Sequence, residues 1–325
     1  MGCTDYFKEI VANFFNSEAE KWVEENFKIV SIDKIMKVQF SIQLSNFAYY
    51  GQWLDQMVES LEKDGKIDWD IMPAESAGSE VEKSSAVSLL KRFETFDYEV
   101  IRHEETASDA ILIYGKEKAI DDVEGKTYAI VAVAGTVERQ DLVQDLKISQ
   151  VPFEDTEAFV HSGFYECFEA LKPKIERFLD ETLEKKPVDE ILIVGHSLGG
   201  AVASLIGASL APKFEEEDFR VVSVASPKIG NKAFQEFFKQ RVKKHLRIRL
   251  TSDLIVDFPA LLYWFRNSGE DLETTDFPIF DASEFAFGSH KSHDYLRGLE
   301  KNKEVILKIK FGNAVEKARK FVEAN

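Results

Sequence analysis

Residues 189–211 read "DEILIVGHSLGGAVASLIGASLA", and this stretch decides the fold. Its first part, "DEILIV", is a short apolar run of the kind found in strands buried on both faces. Its last part, "GAVASLIGASLA", is small and apolar and stops at Pro212, as a helix would. Between them lies Gly195-His196-Ser197-Leu198-Gly199, a G-x-S-x-G pattern at a strand-to-helix junction. The glycines two before and two after the serine have a steric purpose. Side chains there would collide with the neighbouring strands and with the helix. Such a turn lifts the Ser197 hydroxyl above the sheet edge. It also aims the helix N-terminus and the Leu198 N–H at an oxygen that gains negative charge. Two plainer readings compete. A phosphate cradle would want G-x-G-x-x-G or a following G-K-[ST], and neither is present. A serine that simply caps its helix stays open at this point.

The same alternation continues outward. "TYAIVAVAG", "FRVVSVASP" and "LRIRLTSD" read as further buried strands. "GFYECFEALKPKIERFLDETLEKK" reads as a helix with a kink or restart at Pro173, and "NKAFQEFFKQRVKKH" as a helix with Asn231 as N-cap. "VILKIKF" suggests a late strand and "GNAVEKARKFVEAN" a closing helix. Strands alternating with helices predict an α/β fold, a mostly parallel central sheet with helices on both faces. Ligands on such sheets bind beyond the carboxyl ends of the strands, where Gly135, Ser197 and Asp253 would gather. The first part of the chain, including "YFKEIVANFFNSEAEKWVEENF", has helical spacing, and "PAESAGSEVEKSS" (residues 73–85) reads as a loop. The expected organisation is an N-terminal helical extension, 1–85, packed on a core of residues 86–325.

Composition narrows the function. The chain has 325 residues, is 44% hydrophobic and carries a formal charge of -17. That is enough apolar material for a large core, and the charge repels nucleic acid and anionic headgroups. The 26 Phe residues suit a Phe-rich core or an apolar pocket. Two cysteines, Cys3 and Cys167, give no disulfide framework and fit a reducing, cytoplasmic setting. No signal-peptide pattern opens the chain. "MGC" raises acylation at Gly2 and Cys3 and with it peripheral membrane contact, although Tyr6 stands where the myristoylation pattern wants Ser or Thr.

Several motifs in order give the chain a family likeness. "VGHSLGGAVASL", "VAVAGTVERQDLVQDL", "VHSGFYECF", "VASPKIGNKAF" and "RLTSDLIVDFP" resemble the elbow, the R-G-T turn with its D-W-x-x-D-L segment, the H-x-G-F motif, the A-S-P-R-V-G-N-x-x-F stretch and the acid-bearing loop of class 3 lipases. The likeness runs from about Tyr98 to Leu299. It implies an α/β-hydrolase fold and a serine hydrolase acting on carboxylic esters of lipids, acylglycerols or related acyl esters, with no cofactor. The chain departs from the pattern at Ala134 (for Arg), Leu142 (for Trp) and Val256 (often Pro).

Roles follow in the chain order serine, acid, histidine. Asp253 ends a strand and precedes Pro259 by six residues, the family's spacing; Asp257 is its rival, deeper in the loop. The histidine must come later, and "SHKSHDYLRGL" offers His290 and His293. In many family members the histidine precedes a helical tyrosine by five residues. Tyr295 then points to His290, while a shorter spacing in fungal members keeps His293 open. The two lack a convincing further ligand set, so no metal is expected. Thr136 matches the family's oxyanion donor, to be joined by Leu198. His161 and His196 read as structural, orienting turns by hydrogen bonds. Residues 137–159, where the family places its lid, are mixed and acidic and do not argue for interfacial activation. "FPALLYWF" (residues 258–265) would serve equally as an acyl-chain wall or as packed loop core. The reading from another class is an interaction protein built on an inactive hydrolase fold.

Overall fold

The computed structural model describes residues 32–73, 76, 78–106, 108–119, 124–135, 149–250, 253, 256, 275–279 and 294–295. The expected helix at 6–27, the late strand at 305–311 and the closing helix at 312–325 lie outside them. So do Thr136, Asp257, His290, His293, the segment 137–148 and residues 258–265. Everything below concerns the compact unit Val38–Gly298 and the start of its first helix.

In chain order the elements are α1 (Ile32–Phe47), a 3₁₀ turn (Ala48–Trp53), α2 (Leu54–Asp64), α3 (Glu80–Arg92), β1 (Phe93–His103), β2 (Ser108–Glu117) and β3 (Thr127–Val133). A small hairpin follows, β4 (Gln150–Pro152) with β5 (Phe159–His161), then α4 (Ser162–Lys185) and β6 (Glu190–His196). The remainder is α5 (Leu198–Leu210), β7 (Phe219–Val224), α6 (Lys232–Arg241), β8 (Lys244–Leu250) and β9 (Thr275–Ile279). Seven strands form one sheet in the order β1-β2-β3-β6-β7-β8-β9. The pairs from β3 to β9 are parallel; β1–β2 and β2–β3 are antiparallel.

Strand alternation sorts the core into two faces. Ala110, Leu112, Ala129, Val131, Val133, Ile191 and Ile193 share one apolar cluster with Phe168, Val202, Leu205 and Phe234 of α4, α5 and α6. The intervening residues turn the other way. Val100 and Ile111 meet Gly51 of the 3₁₀ turn, and Tyr128 meets Phe40 of α1 with ring centroids 5.7 Å apart. The β1–β3 part of the sheet is therefore covered on both sides, with Phe40 of α1 and Gly51 of the 3₁₀ turn on the second.

Two local expectations are corrected. Residues 73–85 are not all loop: α3 begins at Glu80 behind a capping box. The Ser79 N–H donates to the Glu82 carboxylate at 2.7 Å, and the Glu82 N–H donates back to the Ser79 hydroxyl. Pro173 does not restart the helix: α4 is one element of 24 residues. Its missing N–H costs one helical bond. Phe168, Leu171, Ile175 and Leu179 on either side are fully buried. Each contributes about 1.5–3 kcal/mol by burial, which outweighs that loss. The strands β1, β2 and β9 were not anticipated at all.

Candidate active site

Ser197 follows β6 directly. Its backbone stands at φ 57°, ψ -125°, a region L residues rarely occupy. The strand pairing carries it there, because the Ser197 N–H donates to the Val224 carbonyl at 2.9 Å. The helix then grows from its carbonyl, which accepts from Gly200 and Ala201 N–H at 2.9 and 3.2 Å. The Ser197 side chain makes no capping bond to α5. This removes the reading of the serine as a plain helix cap. As the first helical residue, Leu198 has an N–H with no acceptor inside the helix, so it is available to an oxyanion.

The glycine spacing is steric, as the sequence implied. A methyl group on Gly195 would come within 2.2 Å of the Gly199 carbonyl oxygen. One on Gly199 would come within 2.3 Å of the Val133 carbonyl oxygen. One on Gly200 would press on the Ser226 Cβ at 3.1 Å. The turn after β3 is equally tight, since a methyl on Gly135 would meet the His196 carbonyl oxygen at 2.6 Å. Gly135 thus lies against the elbow, immediately before Thr136 in the chain.

Asp253 is buried near the end of β8, and its Oδ2 accepts from the Tyr295 hydroxyl at 2.7 Å. The fully buried Tyr295 is two residues from His293 and five from His290. The chain just after both candidate bases in sequence, at Tyr295, thus lies against Asp253. Arg247, itself buried, donates to the Val256 carbonyl at 3.3 Å and ties the acid loop to β8. The Tyr295 ring also stands edge-on to His196, centroids 6.0 Å apart.

The other histidines act as turn and core groups. His161 Nδ1 accepts from the Gly163 N–H at 3.2 Å and caps α4, and burial pushes its pKa down to about 4. His196 Nδ1 pairs with the Tyr49 hydroxyl at 2.8 Å. His245 pairs with the Ser223 hydroxyl at 3.0 Å; burial, then the Arg247 charge, brings its pKa to about 3. Tyr49 was missed by sequence reasoning, because nothing in "FAYYG" marks one aromatic residue over its neighbours. Among the described residues no group of three or more His, Cys, Asp or Glu is set to hold a metal, and no helix is long and apolar enough to cross a membrane.

A mostly parallel sheet packed against helices, with a strained serine between β6 and α5, is the α/β-hydrolase fold. Solved lipases share this fold. Lipase II from Rhizopus niveus superposes with a TM-score of 0.56 at 17% identity, covering 73% of this chain and 79% of that one. Rhizomucor miehei triacylglyceride lipase gives 0.58 at 14% identity, covering 82% and 94%. Residues 130–263 match the family model "Lipase (class 3)". In sequence, the secreted mono- and diacylglycerol lipase 1 of Fusarium solani is 28% identical over 34% of this chain and 33% of its own length. The lipase of Rhizopus oryzae is 27% identical over 34% and 29%. The chain thus spans about a third of the curated relatives it matches.

Proposed function

We propose that this chain hydrolyses carboxylic esters of lipids through an acyl-enzyme on Ser197. The observation that carries the proposal is the Ser197 backbone, held at positive φ on the sheet edge with its side chain released from helix capping. The family match and the mono- and diacylglycerol lipase relative support an acylglycerol or related acyl ester as substrate.

The chemistry assigns each residue one task. Histidine 290, or its neighbour His293, takes the Ser197 proton as Oγ forms a bond to the ester carbonyl carbon. Asp253 accepts the other ring N–H and keeps the imidazole oriented; Tyr295 holds the opposite carboxylate oxygen. The carbonyl oxygen becomes an anion, stabilised by the N–H groups of Leu198 and Thr136. Collapse breaks the bond to the alcohol oxygen, which leaves with the proton from the histidine. Water, deprotonated by the same histidine, then attacks the acyl carbon and releases the fatty acid and free Ser197.

A fluorophosphonate probe tests this directly. Ser197→Ala should lose labelling and lower turnover by a factor on the order of a million. Of the two histidines, His290→Ala should fall to the same level while His293→Ala keeps substantial activity. The reverse pattern moves the base to His293. A wild type that neither labels nor cleaves any of a graded series of acyl esters makes the chain an inactive hydrolase-fold interaction protein.

A further inference from the structure

We propose that the Tyr49 hydroxyl is a positioning residue for the oxyanion turn, linking that turn to the elbow from an element outside the recognised lipase segment. The inference rests on the active-site reading above.

Tyr49 lies in the 3₁₀ turn Ala48–Trp53, far upstream of residues 130–263. Its hydroxyl lies between two segments of the site. At 2.8 Å it meets Nδ1 of His196, the residue before the nucleophile. It also packs against Gly135, the residue before the expected oxyanion donor. The contact with Gly135 is close: a methyl group there would lie 2.5 Å from the Tyr49 oxygen. The inventory of the group suits the task. A phenol has one proton and two acceptor positions. Its bond to His196 Nδ1 uses one of these, as donor or acceptor according to the imidazole tautomer, and the oxygen faces Gly135. Burial holds the hydroxyl well above its ordinary pKa, so it remains a donor across the working range.

Ala134, the residue before Gly135, has no polar side chain that could fix the turn. The stretch Ala134-Gly135-Thr136 follows β3, and the Ala134 N–H is bonded to the Asp109 carbonyl at 2.9 Å. Tyr49 supplies the next fixed point, on the side facing the elbow. Oxyanion donors act through preorganisation, and a misplacement of about 1 Å costs on the order of 10²-fold. The Tyr49 pair stabilises the transition state without touching substrate.

Tyr49→Phe tests the assignment because it removes one oxygen and keeps the ring. The expected result is a kcat lowered roughly tenfold with KM within twofold, the split that loss of transition-state stabilisation gives. Fluorophosphonate labelling of Ser197 should slow by a similar factor, while the pH midpoint of kcat stays put, since the base is untouched. Wild-type kcat and labelling rate, or a change confined to KM, overturn the proposal. If Tyr49→Phe does not fold, 3-fluorotyrosine at position 49 keeps ring and hydroxyl and alters the strength of the hydrogen bond to His196. A folded protein with unchanged kcat then overturns it. The underlying reading fails separately: it falls if Ser197→Ala keeps turnover, whatever Tyr49 does.

Discussion

At Ser197 the backbone conformation costs on the order of 1–3 kcal/mol, and the fold holds it there with groups that cannot move. The Val224 carbonyl fixes the amide, and the Val133 and Ala134 carbonyl oxygens wall in Gly199 at 2.3 and 2.7 Å from any added methyl. Those are backbone atoms of a central strand and its exit, so they do not swing aside. Gly199→Ala should therefore destabilise by roughly 3 kcal/mol and take the labelling of Ser197 with it. Urea unfolding followed by circular dichroism reads the first effect and the phosphonate probe the second. A variant with a wild-type midpoint would mean that the elbow has room the structure denies it. The second residue held at positive φ beside the elbow is Ala225, directly after β7, at φ 55°. Strain thus gathers where β6 and β7 hand over to the site.

Among the elements, the link between β7 and α6 does more than connect. Asn231 Oδ1 accepts from the Phe234 N–H at 2.9 Å and from the Phe159 N–H at 3.2 Å. One side chain caps α6 and pins β5, and the Asn231 N–H returns a bond to the Phe159 carbonyl. Asn231→Ala should cost about 1–2 kcal/mol, at the upper end for a helix cap because a strand amide is orphaned as well. A thermal melt checks this, and an unchanged midpoint would reduce Asn231 to a spectator. This cap was legible in the sequence, as were β3, α4, β6, α5, β7, α6 and β8. Each is a long run with one clear period, bounded by Gly, Pro or a capping residue. Less was legible upstream, for physical reasons. In β1, Phe96, Tyr98 and Val100 alternate with Asp97 and Glu99. Both sets stay at least partly exposed, so no continuous apolar run announces the strand. The cap of α3 hid inside a polar segment whose Gly and Ser read as loop. At the site, Ser197 and its glycines could be read locally because their constraint is local. Tyr49 and Tyr295 could not, because each owes its role to partners more than forty residues away.

Across the whole molecule, buried imidazoles set a pH response. His245, with its pKa at about 3 against an ordinary value near 6.5, is neutral in the folded chain over a range where the unfolded chain binds its proton. The unfolded state holds more protons there, so stability falls as pH falls from about 6.5 toward 3, at about 1.4 kcal/mol per pH unit for this one group. Above 6.5 the contribution is fully present. His161, down to about 4, adds the same sign over a narrower window. His245→Gln should remove one proton's worth of that slope. Between pH 7 and pH 5 the wild type should lose roughly 2 kcal/mol more unfolding free energy than the variant. Parallel curves would show that His245 takes up its proton without unfolding.

The two-sided covering of the sheet has a consequence for inheritance. Recognition begins inside β3, yet β3 has its antiparallel neighbour β2 on one edge and the Phe40 ring over Tyr128. A gene fragment copied from residue 130 onward would carry the serine, its elbow and the acid. It would also carry a strand with a bare row of N–H and C=O groups and an uncovered apolar face, which invites aggregation rather than catalysis. Shuffling or fusion can pass on a folded elbow only with the upstream helices and hairpin included, so the heritable module is larger than its signature.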